Sequence, residues 1–405
     1  MAELDSGMAA KDMADLARRR SLPQPVYVTR PTMPDLKGYV HLLEGIWERK
    51  WLANQGPLHE ELEARLRSFL GVEHLSLFCN GTIALLVALE ALRLNTGEVI
   101  TTPFTFPATA HSLYWNRIRP VFCDIDPITF NLDPTKIERL ISADTRAILA
   151  VHVYGRPCDV EAIERIANVH GLHVIYDAAH AFGVRYKDKS ILNYGDISIL
   201  SFHATKLFTT AEGGALVCGS NDRQRRVNSL KNFGIADEET VIGPGINGKM
   251  NELQAAFGLV QMELIDQEIS NRRDLALLYR ELLTEIPGLD VPADIPETES
   301  TYAYFPVLID AGRFGMTRDQ LFVVLRECNV FARKYFYPLI SNASCYSALP
   351  SSSVSNLPVA DRISKQVLCL PIYGSIGSQT VRLITEIIAE AQEFATPAML
   401  ADAKP

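Results

Sequence analysis

Residues 146–180 read RAILAVHVYGRPCDVEAIERIANVHGLHVIYDAAH. RAILAVHVYG has the composition of a buried strand, DVEAIERIANVHG reads as a helix, and HVIYDAA reads as a second strand. A strand, a helix and a strand of these lengths form one βαβ unit with parallel strands. The same alternation runs upstream. HLSLFC, EVITT and RPVFCDI read as strands, while GTIALLVALEALRL, PATAHSLYWN and DPTKIERLI read as helices. GPLHEELEARLRSFLG places Leu58, Leu62, Leu66 and Phe69/Leu70 at helical spacing and stops at Gly71. Downstream, ISILSF and GALVCG are two short apolar runs around a polar loop. The expected fold is therefore α/β: a mostly parallel sheet covered by helices on both faces.

Helical patterns continue from about Asn251 to Leu283, and YAYFPVLI, TRDQLFVVLREC and VRLITEIIAEAQEF point to a smaller C-terminal α/β domain. The expected division is an N-terminal tail or arm over 1–35, a large domain over 36–265 and a small domain over 266–405. A chain of 405 residues is long for one core. Its net charge of −9 argues against nucleic acid as a main partner, since phosphate backbones need a basic surface. Seven scattered cysteines without a C-x-x-C pair point away from disulfides and zinc and toward a cytoplasmic setting. No apolar run has the length of a membrane span.

In an open parallel sheet, ligands lie at the carboxyl ends of the strands. Four strand ends carry chemistry here: Cys79-Asn80-Gly81-Thr82, Pro103-Phe104-Thr105-Phe106, Asp177-Ala178-Ala179-His180, and Ser201 to Lys206. Gly81-Thr82 at a strand-to-helix junction suits either a phosphate cradle or an ordinary helix cap. Asp177 needs a partner if buried; a protonated pyridine nitrogen is one, and a helix-capping role with a core His180 is the other reading. Lys206 taken alone reads as a solvated lysine. A phosphate cradle, an aspartate, a shelf of alanines and a lysine on consecutive strand ends together make the parts list for pyridoxal phosphate held as a Schiff base.

The motifs NGTIAL, TTPFTFPAT, YDAAHAFG, SFHATKLFTTAEGG and GINGKMNELQAAFG resemble, in order and spacing, those of the DegT/DnrJ/EryC1/StrS sugar aminotransferases, which are fold type I pyridoxal phosphate enzymes. The resemblance runs from WLANQGPLHEELEARL to about Ile388. It implies that Lys206 forms the Schiff base and moves protons, that Asp177 pairs with the pyridine nitrogen, and that His180 reaches the phenolic oxygen. It further implies that Phe106 and Ala179 flank the ring, that Gly81, Thr82 and Ser201 hold the phosphate, and that Asn247 reaches the phosphate of a second subunit in a homodimer. L-glutamate is the implied donor and a nucleotide-linked keto-deoxysugar the acceptor. His180 and ATKLFTTAEGG are more similar to family members acting at carbon 4 than at carbon 3, which makes dTDP-4-keto-6-deoxyglucose the expected acceptor. Arg333, Lys334 and Tyr335, in FARKYFYPL, resemble a substrate-lining segment and otherwise read as a charged turn. The alternatives are a 3-amino sugar transaminase, an aminotransferase for a cyclitol or aminohydroxybenzoate precursor, a sugar dehydratase, and a cofactor-binding regulator. Lys206 argues against the dehydratase, and Asp177, Lys206 and Asn247 together argue against the regulator.

Overall fold

The computed structural model describes residues 10–402. The 146–180 stretch forms strand Thr145–Val151, helix Val160–His170 and strand His173–Asp177. The strands are parallel, with Ala147 opposite His173 and Val151 opposite Asp177. Asp159 starts the helix by accepting from the Ala162 amide, and Gly171 ends it in the left-handed conformation at φ 64°.

We number the strands of the two main sheets in chain order. The large sheet contains β1 (Leu75–Phe78), β2 (Glu98–Thr101), β3 (Arg119–Phe122), β4 (Thr145–Val151), β5 (His173–Asp177), β6 (Ile197–Ser201) and β7 (Gly214–Cys218). Their spatial order is β1-β7-β6-β5-β4-β2-β3. Only β7 runs antiparallel to its neighbours, β1 and β6. The helices up to residue 283 are α1 (Ala10–Arg20), α2 (Leu36–Arg49), α3 (Pro57–Leu70), α4 (Gly81–Ala91), α5 (Pro107–Trp115), α6 (Val160–His170), α7 (Asn221–Leu230), α8 (Glu252–Met262) and α9 (Ile265–Leu283).

Successive strand residues point to opposite faces, and the core divides accordingly. Ile148 and Ala150 of β4 join Leu62, Leu66, Ile163 and Ala255 on the face covered by α3, α6 and α8. Ala147 and Leu149 join Ala84, Ala88, Leu113 and Val227 on the face covered by α4, α5 and α7. DPTKIERLI departs from its expected helix: it forms two 3-10 turns, Pro134–Lys136 and Glu138–Leu140. Ile137 is buried and Leu140 and Ile141 pack beside it, so the two 3-10 turns deliver to the core the same apolar side chains that the helix would have buried.

A second core lies around β8 (Leu289–Asp290), β9 (Phe305–Ile309) and β10 (Val367–Leu370), an antiparallel sheet in the order β8-β9-β10. It is packed by α9 together with α10 (Ala311–Phe314), α11 (Arg318–Glu327), α12 (Pro358–Gln366) and α13 (Ser378–Asp402). Leu275, Ala276, Tyr279 and Leu283 of α9 belong to this core, and so do Leu16, Leu22 and Val26. Arg20 of α1 also pairs with Glu386 and Glu390 of α13. We propose a domain division near residue 265, with the described part of the N-terminal segment docked on the small domain.

On the first face of the large sheet, α8 is tied to α3 by Glu252. It is fully buried, and its carboxylate accepts from the amides of Leu58 (3.1 Å) and His59 (2.8 Å) at the start of α3. The N-cap residue Gly56 has no side chain to do this, and a Cβ there would meet the Glu252 carboxyl carbon at 2.5 Å. Glu252→Ala should therefore leave two buried donors unpaired and cost about 1–3 kcal/mol in urea unfolding, with Glu252→Gln losing less. Equal stability of Glu252→Ala and the parent protein would contradict this cap.

Candidate active site

A cavity of about 640 Å³ lies at the carboxyl ends of β1, β2, β4, β5 and β6. Its floor comes from the large domain and its wall from Tyr304, Arg333, Tyr335 and Phe336 of the small one.

Lys206 sits in the loop between β6 and β7. Phe202 and Gly213 close that loop, with the Phe202 amide bonding the Gly213 carbonyl at 2.8 Å. Thr209 and Thr210 spend their hydroxyls on the backbone, donating to the carbonyls of Phe202 (3.0 Å) and Glu212 (2.7 Å). The loop is thus braced, and it presents the lysine amine to the cavity. Lys206 forms no ion pair among the described residues, and its Nζ lies 5.9 Å from the centroid of the Tyr304 ring. Burial pushes the Lys206 amine down to about 8, and the field of Asp177 offsets only part of that shift.

Asp177, at the end of β5, is buried with no cation paired to it among the described residues. Its Oδ2 accepts from Thr109 Oγ1 (2.8 Å) and its Oδ1 from the Ala179 amide (3.1 Å). Burial raises its affinity for a proton; Thr109, Ala179 and Lys206 oppose that rise. His180 accepts at Nδ1 from the Tyr154 amide (3.3 Å), which leaves the proton of the neutral ring on Nε2. Burial, and then the charge of Lys206, holds His180 well below the usual histidine range.

The cradle forms where β7 passes the start of α4. Asn80 caps α4 by accepting from the Ile83 amide (2.8 Å), and the first-turn amides of Gly81 and Thr82 have no intrahelical acceptor. Two glycines permit the approach. A Cβ on Gly214 would lie 2.7 Å from the Gly81 nitrogen, and one on Gly81 would lie 3.1 Å from the Ser201 Cβ. The paired glycines after the lysine loop thus let a strand pass against the mouth of a helix. A helix N-terminus lined by a serine binds an anion such as a phosphate.

Such a constellation has counterparts among known proteins. Residues 38–389 match the model of the DegT/DnrJ/EryC1/StrS aminotransferase family. The chain belongs to this family. It is an aminotransferase, and its relatives agree. It is 51% identical over 365 residues to an Escherichia coli protein named dTDP-4-amino-4,6-dideoxy-D-glucose transaminase, covering 89% of this chain and 97% of that one. A Shigella dysenteriae protein of the same name is 47% identical, over 91% of this chain and all of its own. Among solved structures, DesI in the presence of its TDP-sugar product superposes with a TM-score of 0.90 at 34% identity, over 97% of this chain and 99% of the other.

Of the residues singled out in the sequence, Gly81, Thr82, Phe106, Asp177, Ala179, His180, Ser201, Lys206, Arg333 and Tyr335 all line the aminotransferase cavity. Lys334 does not. Its amine pairs with Asp319 at 2.5 Å and lies 4.4 Å from the centre of the Phe322 ring. Arg333, Tyr335 and Phe336 face the cavity, while Lys334 is drawn away from it by Asp319. Asn247 is exposed, lies outside the cavity of its own chain and bridges Asn232. Sequence reasoning missed Thr109, which orients Asp177, together with the cavity-lining Tyr304, Phe336, His203 and Glu212. Thr109 could have been found from its place in the first turn after the strand end. Tyr304 and Phe336 carry no local signal.

The depressed lysine has a direct consequence. Its neutral, nucleophilic fraction should rise as pH passes through about 8, well below the range of an ordinary lysine. Peptide mapping after brief labelling with trinitrobenzenesulfonate should show Lys206 modification levelling off above that pH. Asp177→Asn should move the inflection further down, because the carboxylate is what raises the amine. An inflection near 10.5 in the apoprotein would contradict the assignment.

Proposed function

We propose that this aminotransferase binds pyridoxal 5'-phosphate in the cavity and transfers an amino group from L-glutamate to carbon 4 of dTDP-4-keto-6-deoxyglucose. The observation that carries the reading is a buried amine and a buried carboxylate, Lys206 and Asp177, held in one cavity without an ion pair to either among the described residues. An unpaired buried carboxylate is costly, and a protonated pyridine nitrogen satisfies it. The cofactor fits the remaining groups as well: a cradle of amides for its phosphate, an alanine shelf and an aromatic ring for its faces, and a lysine for its aldehyde.

Bound there, pyridoxal phosphate supplies a carbonyl that accepts the amine and a ring that draws electrons from the bond being broken. The protein's own groups do the rest. The Asp177 carboxylate, aimed by Thr109 and the Ala179 amide, keeps the ring nitrogen protonated. The Nε2–H of His180 donates to the ring's phenolic oxygen. Gly81, Thr82 and Ser201 hold the phosphate, while Phe106 and Ala179 flank the ring. The Lys206 amine, neutral in a useful fraction near pH 8, takes the proton from the carbon that bears nitrogen and returns it across the same face. Glutamate leaves as 2-oxoglutarate, and the keto sugar receives the nitrogen, so no outside oxidant or reductant is required.

The choice of carbon 4 and of a dTDP sugar is supported by the names of the relatives that are 51% and 47% identical. Incubation with dTDP-4-keto-6-deoxyglucose and glutamate should give the 4-amino sugar by NMR. Nitrogen on carbon 3 of a 3-keto-6-deoxy sugar, or turnover of a cyclitol ketone alone, would replace this acceptor with one of its rivals. Lys206→Ala should abolish turnover and the borohydride-sensitive visible band, and Asp177→Asn should lose about a hundredfold or more in rate. A cofactor-binding regulator would show the band without turnover.

We further propose a cytoplasmic homodimer in which Asn247 completes the partner's phosphate site. Exposed apolar side chains stand in two groups: Phe233, Val241 and Ile242 in the hairpin that carries Asn247, and Trp47, Trp51, Leu52 and Leu253, each 37–69% exposed. The Phe233 amide bonds the Ile246 carbonyl in the first group, and the Glu252 amide bonds the Leu52 carbonyl in the second. Apolar surface of this kind is normally covered in a stable protein. If each site takes a residue from both chains, mixing Lys206→Ala with Asn247→Ala subunits after dissociation should restore activity. In the mixed dimer one site carries both defects and the other carries neither. A monomer that sediments as such and keeps full activity would overturn the shared site.

A further inference from the structure

The aminotransferase reading requires one cavity to accept two unlike substrates in turn, an amino acid and a sugar nucleotide, with the reacting carbon of each beside Lys206. Both are anions. Among the described residues that line the cavity, the cationic side chains are Lys206 and Arg333. The carboxylates of the lining are already occupied: Asp177 with Thr109 and Ala179, and Glu212 facing His203 Nε2 at 3.7 Å. Lys334 is turned away to Asp319.

Arg333 is well mounted for the task. Its amide donates to the Cys369 carbonyl (3.0 Å) and its carbonyl accepts from the Cys369 amide (2.8 Å), which fixes its backbone to β10. Its guanidinium lies 5.3 Å from the centre of the Tyr335 ring and joins no ion pair among the described residues. Tyr335 packs edge-on against Tyr304 at 5.5 Å, and Tyr304 is the ring beside the Lys206 amine. Two tyrosine rings therefore bridge the lysine and the guanidinium.

The two substrates share one dimension. In glutamate the distal carboxylate is three bonds from the α-carbon. In a 4-keto sugar the anomeric phosphate lies across the ring from carbon 4. By ordinary bond lengths both anions sit roughly 4–6 Å from the reacting carbon. We propose that Arg333 is a specificity-determining residue shared by the two half-reactions: its guanidinium binds the side-chain carboxylate of the amino donor in one and the anomeric diphosphate of the sugar nucleotide in the other. A planar fork suits both groups, and both carry oxygens that accept two parallel N–H bonds. The proposal rests on the aminotransferase reading and names how that site selects its substrates.

The test uses holoenzyme and follows each half-reaction separately by the spectrum of the bound cofactor. The first half-reaction is run with L-glutamate and with L-glutamine, its neutral isostere. The second is run with dTDP-4-keto-6-deoxyglucose and with the same keto sugar lacking the nucleotide. Arg333→Ala should lower kcat/KM about ten- to a hundredfold for glutamate and for the dTDP sugar, the range of a lost charge-assisted hydrogen bond. It should change the values for glutamine and the free sugar by a markedly smaller factor, since neither carries the anion that the guanidinium is proposed to bind. Arg333→Lys should fall between, since it keeps the charge and loses the fork. Equal losses for glutamate and glutamine, or a loss confined to one of the two anionic substrates, would overturn the shared role of Arg333. A parent protein inert to glutamate and glutamine alike would overturn the choice of amino donor on which the proposal rests.

Discussion

An amine and a carboxylate share a cavity here without an ion pair to any described residue, and much of the surrounding structure keeps them so. Each would be more stable in water or against an opposite charge. The loop that carries Lys206 is closed by its own backbone and by two threonines, which prevents the lysine from swinging out to solvent. Asp177 is turned by Thr109 and the Ala179 amide. The result is a lysine that releases its proton easily beside an aspartate whose charge is satisfied only in part. Such opposed displacements mark sites that do chemistry, and here they arise from placement at the ends of adjacent strands.

The floor of the site was legible because its parts are local. A strand followed by a glycine and a threonine, or by an aspartate and two alanines, states its chemistry within a few residues. The alternation of strands and helices then places those ends side by side, and β5 and β6 are indeed neighbours in the sheet. The wall was less legible. Tyr304 and Phe336 reach the cavity only because the small domain packs there, and an aromatic residue in a short strand reads as core. The segment 333–335 is legible as a group, but the ion pair of Lys334 with Asp319, distant in sequence, takes the middle residue out of the cavity. At 133–141 the pattern suits a helix, but the chain brings Ile137, Leu140 and Ile141 to the core from two 3-10 turns instead, a choice of backbone that the apolar spacing does not reveal.

The cradle shows how close packing of backbone can serve binding. Gly81, Gly214 and Ser201 approach so nearly that a methyl group on Gly214 would strike the helix start. That approach sets the helix amides at the edge of the sheet beside Ser201, so that on the proposed function the dipole of α4 and the serine hydroxyl would serve one phosphate together. The same crossing is the sheet's single reversal of direction, since β7 runs against both neighbours.

The origin of the cavity wall has a bearing on how such proteins diversify. In the proposed reading the groups that handle the nitrogen stand at strand ends of the large sheet, while Tyr304 and Phe336 of the wall come from the chain beyond residue 300 and pack in a cluster shared with Phe104, Phe122 and Val151. On the proposed function, changes to residues beyond Tyr304 would alter which molecule is admitted while leaving the proton chemistry at Lys206 and Asp177 intact. Inheritance of reaction and inheritance of substrate range are thereby separated within a single chain, and lineages of the same ancestry are free to part company over the molecules they accept long before they part over the reaction they perform.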